Sequence, residues 1–65
     1  IPRDVIAKRL LKLRGEKSRE EVAREWNNAS ALAMYEIGER IPRDEIKVSL
    51  AKYYGTTVEA IFFAK

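Results

Sequence analysis

The sequence predicts an all-α fold, a compact bundle of five short helices. Three observations predict it. Apolar residues recur at three- and four-residue spacing in five segments. No stretch sustains an apolar–polar alternation, and no Asn-Gly or Asp-Gly pair signals a hairpin. Proline, glycine and capping residues stand where those five segments start and stop.

The first helix follows Pro2, with Asp4 complementing the dipole of its first turn and Gly15 marking its end. Ile6, Leu10 and Leu13 fall at i, i+4 and i+7, with Val5 and Leu11 beside them. The second opens on a capping-box pattern, Ser18 and Glu21, and continues through Val22, Ala23 and Trp26. The third starts near Asn28, a good N-cap, and runs to Gly38 with Leu32 and Tyr35 on one side. The fourth follows Pro42, carries Asp44 and Glu45 in its first turn, lines up Ile46, Leu50 and Tyr53, and stops at Gly55. Thr56 and Glu59 form a second capping-box pattern before Val58, Ile61 and Phe62. The expected core is Leu10, Trp26, Leu32, Ile46, Leu50, Ile61 and Phe62.

At 65 residues the chain holds one domain, residues 1–65, and a domain of this size is marginally stable. It has no cysteine and no histidine, which removes disulfides, thiolate metal sites and the commonest general base. The lack of cysteine fits a cytoplasmic protein. No apolar run reaches the roughly 20 residues of a membrane span, and IPRDVIAKRL lacks the apolar core of a signal peptide. A hydrolase or transferase is a poor fit: there is no glycine-rich phosphate loop, and so small a chain leaves little room for a substrate cleft. Adjacent Asp44 and Glu45 suit a helix start better than an acid–base pair. No cofactor, metal or small-molecule substrate is expected.

The net charge is +3 and the pI near 9.5. Residues 1–33 carry eight Lys/Arg against five Asp/Glu, whereas residues 34–65 carry five of each. The basic half favours a polyanionic partner. Lys8, Lys12 and Lys17 are read as solvated surface charges. Segments 1–15 and 41–55 match at eight of fifteen positions. Residues 16–40 have no such copy, so this is read as two similarly punctuated helices rather than a solenoid.

The connection between the second and third helices spans only a few residues. That forces a sharp crossing, the helix-turn-helix geometry, in which the second member can enter a major groove. Ala23 is small where the two helices would meet, while Leu32 and Tyr35 would tie the projecting helix to the core.

KRLLKLRGEKSREEVA (8–23) and SALAMYEIGERIPRDEIKVSLAKYYGTTVEAIF (30–62) resemble the Cro and phage-repressor type of helix-turn-helix, also called the xenobiotic-response-element type, over nearly the whole chain. The resemblance implies a five-helix, lambda-repressor-like domain. It also implies a bacterial or phage transcriptional regulator that binds double-stranded operator DNA as a homodimer. Half-sites would then lie about one DNA turn, roughly 34 Å, apart. The turn Trp26-Asn27-Asn28-Ala29-Ser30 departs from the family by one residue, with Asn27 where glycine is usual, and the shortening would rotate the third helix.

Through the resemblance, Ser18 and Arg19 at the start of the second helix are expected at a phosphate. Asn28, Ala29 and Ser30 are expected at the tip of the third helix, with Ala33 and Met34 a turn further on. Arg40 and Arg43 would bind the backbone from the following loop. Glu36 is expected to pair with Arg14. The alanines offer no side-chain hydrogen bonds, so base readout would be lean: asparagine to adenine, methyl contacts to thymine, and DNA shape. A helix buries one of Phe62 and Phe63 more easily than both, and these two are expected at a dimer interface. The competing reading is a protein-interaction module using that end, such as an antitoxin-like domain. Steep loss of affinity with salt would mark DNA binding and not an apolar interface.

Overall fold

The fold comes from a computed structural model, which describes residues 2–26 and 29–65, with Ala29 as backbone only. Five helical elements follow in order: α1 (Arg3–Arg14), α2 (Arg19–Glu25), α3 (Leu32–Glu36) led in by a 3-10 turn (Ala29–Ala31), α4 (Asp44–Tyr53), and a last helix wound as a π-helix (Glu59–Phe63). Together they fill about 30 × 20 × 20 Å. No described helix is long and apolar enough to cross a membrane.

α1 lies against both α3 and the last helix. It buries Ile6, Ala7 and Leu10. The expected stripe continued to Leu13, but Leu13 is exposed and Arg14, one residue on, turns inward to an acid on α3. Gly15 takes φ +59°, where a side chain would be strained, and its N–H caps the carbonyl of Leu11.

α2 starts as expected. Ser18 is extended at φ −76°, ψ 161°, and its Oγ accepts the Glu21 N–H at 3.1 Å. Val22 is fully buried. Ala23 is exposed, so Val22 rather than Ala23 faces the neighbouring helices. Trp26 closes the helix, buries its ring, and donates from Nε1 to Ser49 Oγ on α4 at 2.7 Å, satisfying the one polar atom of the indole.

The core gathers Ile6, Leu10, Val22, Trp26, Leu32, Tyr35, Leu50, Ala51, Ile61 and Phe62. Of the residues expected there, only Ile46 is half-buried, packed at the edge. The last helix is capped by Thr57, whose Oγ1 accepts the Ala60 N–H at 3.0 Å. The expected cap was Thr56; its neighbour takes the role because helical winding begins at Val58, which sets Thr57 just before the first turn. The wide winding shows in the bond from Ala64 N–H to the Glu59 carbonyl, 2.7 Å, one residue longer than an α turn.

Arg9 ties the ends of this arrangement together. Its Nη1 donates to the carbonyls of Ala60, at 3.2 Å, and Ile61, at 3.1 Å, and its Nη2 donates to Ala64. These are carbonyls that the end of a helix leaves unpaired.

Candidate nucleic-acid interface

The third helical region has two faces. Leu32, Tyr35 and Glu36 turn inward and are buried. Ser30 and Met34 are exposed, and Ala33 is half-buried between them. Asn28, expected at the tip, lies outside the described residues, as does the side chain of Ala29.

Ser30 does not stand alone. It shares a cleft of about 220 Å³ with Arg40 and Arg43, walled by Tyr35, Pro42 and Ile46. Both arginines are exposed. Arg43 comes no closer than 3.9 Å to Glu45, with both side chains more than three-quarters in solvent, at 84% and 77%. Such a pair is worth about 0–1 kcal/mol and leaves the guanidinium available. Three of the expected contact residues, one at the tip of the third helix and two at the loop that follows it, are thus brought to one polar opening.

Ser18, Arg19 and Glu36 form a second group. The Glu36 side chain is fully buried and meets two guanidiniums: Arg14 Nε at 2.7 Å on one oxygen and Arg19 Nε at 2.9 Å on the other. Arg14 also donates from Nη1 to the Lys17 carbonyl at 2.8 Å. The expected Arg14 partnership is present. The second one, from Arg19, went unread: it depends on how α2 sits against α3, which no local pattern encodes. One carboxylate against two guanidiniums leaves one positive charge uncompensated. Ser18 is occupied in capping α2 and is half-buried.

Tyr54 lies within the field of the same carboxylate. Its hydroxyl is buried with no partner among the described residues. Burial first, and then the charge of Glu36, push its pKa up to about 12. Nearer the surface, Lys17 Nζ and the Tyr53 hydroxyl both hydrogen-bond Glu25, with Lys17 at 2.7 Å. The bond to Glu25 raises Lys17 to about 12, and the bond to Lys17 lowers Glu25 below its ordinary value.

At the other end the pair Phe62–Phe63 divides. Phe62 is 2% exposed and belongs to the core, which removes it from the expected interface. Phe63 is 55% exposed. Lys47 Nζ stands 5.1 Å from the Phe63 ring centre and 5.6 Å from that of Phe62.

No protein-family model, curated protein or solved structure matches the chain.

Proposed function

We propose that the chain is a sequence-specific DNA-binding regulator, a repressor without enzyme activity, that lays its third helical region in the operator major groove in helix-turn-helix fashion. The observation that carries this reading is the cleft joining Ser30 to Arg40 and Arg43. It sets a hydrogen-bonding tip beside two guanidiniums, and so pairs a group suited to base edges with groups suited to phosphates. The resemblance to the Cro and phage-repressor type points the same way, as does the basic excess of residues 1–33.

Readout is lean. On this face Ser30 is the one described hydrogen-bonding side chain of the helix itself, flanked by apolar Ala33 and Met34. Thymine methyls and DNA shape then supply much of the discrimination, with Asn28 as a reader of adenine. Phe63, exposed beside Lys47, joins two copies into the dimer that a near-palindromic site requires. The same exposure favours one other reading, an apolar protein-interaction module using Phe63 without DNA.

Selection from a random duplex pool at two salt concentrations tests the choice. A recovered near-palindrome, bound less tightly at the higher salt, is the expected result, and Ser30→Ala should weaken the enrichment. No binding at either salt would reject the DNA reading and turn attention to protein partners of Phe63.

A further inference from the structure

Arg19 and Glu36 carry more than a salt bridge. Glu36 is wholly buried, and each of its oxygens takes one Nε–H, from Arg14 and from Arg19. The two arginines are unequal. The Arg14 side chain is 18% exposed and also holds the Lys17 carbonyl, so it is the enclosed partner that neutralises the carboxylate. The Arg19 side chain is 48% exposed, and neither of its terminal nitrogens has a protein partner among the described residues.

A guanidinium has five N–H donors in a planar fork. Using Nε on an internal carboxylate fixes the plane of the fork and leaves four donors on the terminal pair. An ammonium cannot divide itself this way: it is a single point charge on a flexible stem. The choice of arginine at a half-exposed position, anchored through its inner nitrogen, therefore has a chemical consequence.

We propose that Glu36 is a positioning residue that holds Arg19 by Nε and presents its two terminal nitrogens to one DNA phosphate oxyanion. The inference rests on the DNA-binding reading and deepens it by naming a preset phosphate clamp and the buried group that sets it. The clamp lies on α2, whereas the Ser30–Arg40–Arg43 cleft is lined by the turn that leads into α3 and the loop that follows it. It needs no rearrangement on binding, because the bond to Glu36 and the bond to phosphate use different nitrogens. Holding the fork in advance lowers the ordering cost that a free surface arginine meets on binding.

The test titrates the wild-type chain, Arg19→Ala and Arg19→Lys against one duplex taken from the selection, over a range of salt. Circular-dichroism melts verify that each variant folds. Both variants should bind about tenfold more weakly than wild type, the scale of one charge-assisted hydrogen-bonded contact. Arg19→Ala should also reduce the log–log salt slope by about one. A lysine variant that binds like wild type would show that charge alone matters and would overturn the inference, as would an alanine variant with unchanged affinity and slope. A second readout needs no variant. In ¹⁵N spectra of the wild-type chain the Arg19 Nε–H should stay protected from exchange both free and DNA-bound; loss of that protection on binding would overturn the positioning role. A wild-type chain that binds no duplex even at low salt rejects the DNA reading and the clamp with it.

Discussion

Residues 2–15 and 42–55 are written alike and used differently. Both open Pro-Arg-Asp, both carry Ile and Leu four residues apart, and both close on a glycine with positive φ, +59° at Gly15 and +68° at Gly55. Leu10 and Leu50 are both fully buried. The positions that differ separate the two helices. Arg9 collects carbonyls of the last helix, whereas Ser49, in the matching place, takes the indole N–H of Trp26. Arg14 meets buried Glu36 as a cation; Tyr54, in the matching place, buries a hydroxyl with no partner among the described residues. The shared residues start, stop and orient a helix. The unshared ones decide what that helix is fastened to.

The comparison can be broken at its strongest point first. Leu10→Ala and Leu50→Ala should each cost about 2–5 kcal/mol, similar to one another, because both leave a cavity at a fully enclosed site. On a domain this small either is a large share of the total, and urea melts would read it. A large inequality would mean the two helices do not contribute alike. One step down, Ile6→Ala should cost more than Ile46→Ala, since Ile6 is 4% exposed and Ile46 only half-buried.

Positions 14 and 54 should then diverge in sign. Arg14→Leu strands a buried carboxylate on one half-exposed partner and should cost about 3 kcal/mol. Tyr54→Phe removes a hydroxyl that has no described partner and should be neutral or stabilising by up to about 1 kcal/mol. The same tyrosine gives the pH prediction. Its folded pKa, about 12, lies above the ordinary 10, so its contribution is intact below pH 10 and is lost as pH rises through 12. Lys17, also raised to about 12, acts in the same alkaline window. Thermal melts of Tyr54→Phe should therefore fall less steeply between pH 10 and 12 than those of the wild type. At the stops, Gly55→Ala should cost about 1 kcal/mol from φ alone and Gly15→Ala more, since its ψ of −126° lies outside the left-handed helical well; no atom closer than 3.8 Å crowds either added methyl.

Much of the architecture was legible because it is local. Ser18 caps α2 within three residues of its own position, and Gly15 ends α1 at a backbone angle only glycine takes easily. Of the seven expected core residues six went inside and Ile46 is half-buried, while Leu13, on the expected stripe of α1, stayed exposed. What escaped depends on the relative placement of helices. Arg19 reads as a phosphate contact alone, and Arg9 carries no assigned role, until α3 and the last helix are set beside them. A basic residue one place from a buried apolar one, as Arg9 is from Leu10, is the signal that was present and passed over. Glu59 three residues on favours Thr56 in the capping-box pattern, yet Thr57 makes the bond, to Ala60. Of the expected contact residues, Ser30, Arg40 and Arg43 come together, Arg19 stands with Glu36, and Phe62 withdraws into the core.

The Arg9 bond to the Ala64 carbonyl joins residues 55 positions apart. During synthesis, α1 leaves the ribosome long before residues 60–64 exist to cover it. Until they emerge, Ile6 and Leu10 lack Ile61 and Phe62 as neighbours. Stable burial of α1 therefore waits on residues 60–64, and amide protection of its Ile6–Leu10 turn should arise in one step with that of Ile61 rather than with that of α2.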